Sequence, residues 1–161
     1  MRTTATGRRG YTLIELLLVI SLLSLLTTIA LPAYRGQVLR SHRALARATL
    51  IDLAAKLEVE ALRTGAYPAS FDFHLAGSDA ALLGLDRYAI TASGQVQPIG
   101  SPNGLFEIRL EKAAAGAAFK LSATAINAQT DDRACATISL DALGRRRPTA
   151  GSGPSGDCWS R

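Results

Sequence analysis

GYTLIELLLVI, Gly10 to Ile20, sets a single carboxylate, Glu15, at the head of an apolar run that carries no further charge through Leu31. The run from Leu13 to Leu31 is close to the roughly 20 residues that a helix needs to cross a hydrocarbon core. Ahead of it stands MRTTATGRRG, which is basic and holds no acid. The positive-inside rule therefore keeps Arg8 and Arg9 cytoplasmic and sends everything after Leu31 outward. A carboxylate in such a helix costs on the order of 3 kcal/mol at mid-bilayer and marks a pairing or a function. A secretory signal peptide would explain the basic start, but its apolar part is usually about 7 to 15 residues. This run is longer, contains an acid and lacks an Ala-x-Ala site near Ala30 to Ala33. A plain membrane anchor leaves Glu15 unexplained.

Beyond Pro32 the helical period continues: Ala46, Leu50, Leu53, Leu57 and Ala61 recur at spacings of three and four, opposite Arg40, Arg43, Arg47, Lys56, Glu60 and Arg63. Gly65 and Pro68 supply stop signals. The pattern predicts one long helix from Leu13 to about Thr64, bent at Pro32. From Gly65 to about Asp86 no period holds, and the stretch reads as a loop with a helical turn near Asp79 to Leu83. After it the period becomes two, at Tyr88 and Ile90, at Phe106, Ile108 and Leu110, at Phe119, Leu121 and Ala123, and at Ile138 and Leu140. Ser93-Gly94, Pro102-Asn103-Gly104 and Ala115-Gly116 mark turns, so an antiparallel meander with one apolar face is expected. The stripe around Leu50 to Leu57 is the available cover for that face. The class is α+β, with no internal repeat.

The 161 residues allow one domain or one domain with an appendage. Apolar residues make up 48% of the chain, and much of that excess lies between Leu13 and Leu31, leaving the remainder ordinary. The formal charge of +5 would suit nucleic acid or an anionic membrane surface, yet Arg2, Arg8 and Arg9 supply three of the positive charges. Cys135 and Cys158 are the two cysteines. They read either as packed thiols or as one bridge, and a bridge requires an extracytoplasmic compartment, which agrees with the topology. Closing the loop of roughly 24 residues would contribute on the order of 3 kcal/mol, and it would tie down LGRRRPTAGSGPSGDCWSR, a tail too rich in Gly, Pro, Ser and Arg to bury a core.

Arg8-Arg9-Gly10-Tyr11-Thr12-Leu13-Ile14-Glu15, followed by an apolar helix ending Ala30-Leu31-Pro32-Ala33-Tyr34, resembles the class III leader of type IV pilins and pseudopilins. The likeness extends through Gly65-Ala66-Tyr67-Pro68, Tyr88-Ala89-Ile90, Phe119-Lys120-Leu121, Ala128 to Asp132, Cys135, Leu140-Asp141, Gly144 and Cys158-Trp159, which are similar to PilE-type minor pilins of Gram-negative bacteria. The resemblance implies a pilin fold with a C-terminal disulfide-bonded loop, residues 135–158. It implies cleavage by a prepilin peptidase between Gly10 and Tyr11 and methylation of Tyr11, where the family ordinarily has Phe. Glu15 becomes an assembly residue that meets the amino terminus of an adjacent subunit. The implied parts are a leader at 1–10, a transmembrane and fibre-core half of the helix at 11–34, an amphipathic half at 35–64 and a globular head at 65–161. The implied partners are other pilin subunits, the peptidase, an inner-membrane assembly platform and the membrane itself. The prepilin would sit in the inner membrane with its leader cytoplasmic and its head periplasmic, then join an extracellular fibre serving adhesion, twitching motility or DNA uptake.

A minor pilin is the leading reading. A major pilin shares every feature, whereas a type II secretion pseudopilin usually lacks the disulfide loop. A DNA-binding uptake pilin would give Arg145, Arg146 and Arg147 a role on phosphates. For those arginines a solvated loop is the favoured reading, because no aromatic is interleaved to stack bases and three charges bind weakly. Gly151 to Gly156 spells G-x-G-x-x-G without room for a following helix. His42 and His74 are isolated from each other and from any Cys-x-x-Cys, which gives no support to a metal site. No nucleophile elbow or Ser-His-Asp order is present, so neither an enzyme nor a cofactor is expected.

Overall fold

The structure is a computed structural model that describes residues 11–72, 84–112, 118–150 and 158–160. Helix α1 spans Leu13–Thr64, the predicted extent. It stops at Gly65, whose φ of 83° is a left-handed cap that a side chain would strain. Pro32 lies inside the helix and has no N–H to offer the preceding turn. The described residues divide into two units, one ending at Val38 and the other beginning at Leu39.

In the first unit the apolar side chains of Leu13 to Leu31 are exposed, Leu13 at 76% and Ile29 at 70%. So continuous an apolar surface is foreign to water-facing helices and requires lipid or other helices around it. Its hydroxyls are already satisfied along the helix. Ser21 donates to the Leu18 carbonyl, Ser24 to Ile20, Thr27 to Leu23 and Ser24, and Thr28 to Leu25. No side-chain donor in that stretch depends on water, as a hydrocarbon environment demands.

The second unit holds six antiparallel strands: β1 Arg87–Ile90, β2 Val96–Gln97, β3 Phe106–Lys112, β4 Phe119–Ala125, β5 Thr137–Asp141 and β6 Arg146–Ala150. Two short 3₁₀ segments, Asn127–Asp131 and Arg133–Cys135, link β4 to β5. The sheet order is β2-β1-β3-β4-β5-β6. The expected meander therefore holds from β3 to β6, while β2 folds back on the outer side of β1 and β3 crosses to the other. Pairing of Tyr88 with Ile108, Ile108 with Ala123 and Ala123 with Ile138 aligns one buried row across four strands. Glu107, Arg109 and Glu111 alternate onto the other face. Ala46, Leu50, Leu53 and Leu57 of α1 are fully buried in the same core, so the predicted stripe does cover the predicted face. Ala61 is only half-buried. Tyr67 meets Phe119 and Phe71 meets Tyr88 edge-on, at 4.9 and 4.8 Å between ring centroids.

β6 corrects the sequence reading of a solvated loop at Arg145 to Arg147 for two of the three: Arg146 and Arg147 are in a strand, although exposed, while Arg145 stays in the turn. Asp141 organises the hairpin into β6: one carboxylate oxygen accepts from the Leu143 and Arg145 N–H groups, and Gly144 takes φ 72°. Pro148 is tolerated because β6 is an edge strand. The helical turn expected at Asp79 to Leu83, the Ala115-Gly116 turn, the Gly151 to Gly156 motif and His74 lie outside the described residues.

Candidate functional site

Two places concentrate the residues singled out in the sequence, and the first is the start of α1. Tyr11 is 87% exposed and Glu15 is exposed in the first helical turn; Gly10 lies outside the described residues. Thr12 Oγ1 accepts the Glu15 backbone N–H at 3.3 Å. Thr12-x-x-Glu15 thus has the spacing of a capping box, with its Thr half formed, a signal the sequence reading passed over. An acid in this turn also faces the positive end of the helix dipole. Glu15 therefore stands where the helix favours a negative charge.

The second place is the edge of the sheet beyond β5. Cys135 and Cys158 are bonded, with Cα atoms 5.6 Å apart and both residues buried. The bridge carries Trp159 to β6, where the Arg146 guanidinium carbon lies 5.5 Å from the centre of the indole ring. An aromatic is thus interleaved with the arginines in space, although not in sequence. From α1, Arg47 Nη1 donates to the carbonyls of Trp159, at 2.8 Å, and of Ser160. Burial first, and the neighbouring Arg43 charge second, hold the Arg47 pKa below the ordinary guanidinium value.

The arginine run does not form one patch. Arg145 sits in the hairpin turn, its Nε 2.6 Å from an Asp141 oxygen. Burial pushes the Asp141 carboxyl up, but Arg145 and the two backbone N–H groups outweigh it and hold it below its usual range. Arg146 is paired with Leu140, a core position, and Arg147 with Ser139 on the opposite face. Strand alternation therefore points these two arginines to opposite sides of the sheet. Both are exposed, and among the described residues neither has a carboxylate within ion-pair distance.

Between α1 and the 3₁₀ segments lies a buried polar network. Arg43 donates to both oxygens of Asp132, at 2.9 and 3.0 Å. Gln129, fully buried, accepts at Oε1 from His42 Nδ1 at 3.0 Å, and its Nε2 donates toward Asp132 and the Leu39 carbonyl. With Gln129 Oε1 as acceptor, His42 is the donor. His42 thus serves as a strut. Among the described residues no group of three or more His, Cys, Asp or Glu is arranged to hold a metal.

A solved type IV pilin from Shewanella oneidensis is similar at 26% identity, covering 75% of this chain and 99% of its own, with a TM-score of 0.44. Residues 6–31 match the prokaryotic N-terminal methylation motif. Residues 32–139 match the family described as type IV minor pilin ComP, DNA uptake sequence receptor. Together with the long apolar-headed helix, the antiparallel sheet and the C-terminal disulfide, that match over more than half of the 161 residues makes the chain a member of the ComP family of type IV minor pilins.

Proposed function

We propose that this minor pilin is made as a prepilin, cut between Gly10 and Tyr11 by a prepilin peptidase and methylated at Tyr11. Residues 1–10 are the leader, 11–34 the membrane and fibre-core half of the helix, 35–64 its amphipathic half and 65–161 the head. Before assembly the head is periplasmic, and an inner-membrane assembly platform then moves the subunit into the fibre. The observation that carries this reading is the bare apolar half of α1. Lipid before assembly and neighbouring helices afterwards both keep those side chains from water. Cleavage puts a positive amine one helical turn from Glu15, and a carboxylate in low dielectric is tolerable beside a cation. Glu15 of one subunit meets the amine of another and fixes the axial register, and a bend at Pro32 adjusts the helix between its two surroundings.

Mass spectrometry of protein from sheared fibres is expected to show a chain beginning at methylated Tyr11; a Met1 start sinks the leader assignment. Glu15→Ala and Glu15→Gln are both expected to be cut normally and to enter fibres poorly. Normal incorporation of Glu15→Gln, which keeps hydrogen-bonding capacity without charge, would overturn the register role.

Within the fibre we assign the head a DNA contact at the β6 edge. The family's character as a DNA uptake sequence receptor supports it, as do Arg146 and Arg147, which are exposed and have no carboxylate partner among the described residues. The family match ends at Ser139, ahead of the arginines, so what supports their role is their exposure and charge. Changing Arg145, Arg146 and Arg147 together to Ala is expected to weaken duplex binding by the full chain in detergent and to flatten the log K against log salt slope by about 2 to 3. An unchanged slope removes the assignment.

A further inference from the structure

We propose that Arg47 and Trp159 are positioning residues that hold Arg146 ready for a phosphate group; this rests on the DNA reading of the β6 edge. Arg146 leaves the sheet on the face where its strand partner is Leu140, yet it is exposed, because it lies at the margin of the core. There its guanidinium rests 5.5 Å from the centre of the Trp159 ring. A cation–π contact of this kind holds the guanidinium without committing its N–H groups to a conventional acceptor, which suits a two-point contact with a phosphate. A free arginine on an edge strand would have to be ordered on binding, at a cost in side-chain entropy.

Trp159 in turn is held at both of its neighbours. Cys158 is bonded to Cys135, and the single Arg47 Nη1 group donates to the carbonyls of Trp159 and Ser160. Arg47 is itself fixed in α1, one turn before Leu50 in the core. A line of contacts therefore runs from the rigid helix through the indole to a cation on the sheet edge. Arg47 does not reach the phosphate in this scheme. Its guanidinium is committed to backbone carbonyls, and it acts only through where it places Trp159.

Trp159 is the one tryptophan in the chain, so its fluorescence reads the arrangement without any DNA. In the full chain in detergent, Arg47→Met and Arg146→Ala should each make Trp159 more accessible to acrylamide, whereas Arg47→Lys, whose ammonium can serve both carbonyls, should stay near the wild type. Unchanged quenching in Arg47→Met overturns the clamp. With duplex DNA, Arg47→Met, Trp159→Leu and Arg146→Ala should each weaken binding by about fivefold, and Arg47→Met should add nothing in the Arg146→Ala background. Additive losses overturn the proposal by giving Arg47 an effect of its own. Absence of binding by the wild-type chain overturns the DNA reading and the role built on it, and the quenching result then separates that failure from failure of the clamp.

Discussion

Asp132→Ala is expected to remove about 3 to 5 kcal/mol of stability, because it leaves a mostly buried cation without its counter-charge. The Asp132 side chain is 4% exposed and that of Arg43 13%, and both carboxylate oxygens are engaged by the one guanidinium. The loss exceeds one ion pair. Gln129 also donates to Asp132, and Arg47, a like charge one turn from Arg43, remains close after the acid has gone. Urea unfolding of the full chain in detergent, followed by Trp159, reports the head selectively. Adding Arg43→Met to Asp132→Ala should restore a large part of the loss, since removing both partners is far milder than stranding one. A single-mutant loss below about 1 kcal/mol would mean that water reaches Arg43 and that the network is not what holds the 3₁₀ segments to α1.

The parts of this molecule that were legible in its sequence are those written in local periods. Leu50, Leu53 and Leu57 declare a helix face, Phe106, Ile108 and Leu110 a strand face, and Gly65 a stop; each depends on neighbours within a few residues. The apolar run with Glu15 is legible for the same reason, and the Thr12 to Glu15 cap is equally local, a spacing of three at the head of that run. β6 was missed because its residues have no period of their own. Arg146 to Ala150 become a strand only because β5 offers an open edge and Asp141 and Gly144 turn the chain onto it. A signal was there, in the Asp-x-x-Gly turn after Leu140, but composition argued more loudly for a loop. A run of three arginines likewise looks like one patch until pairing with Ser139 and Leu140 sends two of them to opposite faces. The links from Arg47 to Trp159, from Arg43 to Asp132 and from His42 to Gln129 join residues far apart in sequence. No local pattern records such a contact; it follows from the register of strands and the packing of α1.

Removing the Cys135–Cys158 bridge, by reduction or by paired Cys→Ala substitution, is expected to lower stability by about 3 kcal/mol through the freedom that an unfolded loop of this length regains. The sequence separation of 23 residues sets that figure, which is a large share of the roughly 5 to 15 kcal/mol available to a small domain. The folded state also loses an anchor. Without the covalent tie, the segment at Trp159 is held by packing of its ring against the core, and by Arg47 hydrogen bonds and the cation–π contact with Arg146, the last two worth about 1 kcal/mol each. Those contacts form only when the chain end is already in place, so the bridge supplies the proximity that makes them favourable. Reduction should therefore lower the urea midpoint and raise Trp159 quenching before the sheet core of Ile108, Leu121 and Ile138 unfolds. A fall in midpoint that coincides with the quenching change would instead make the bridge part of the global core. No measurable fall would mean that the Arg47 and Arg146 contacts hold the C-terminal segment without it.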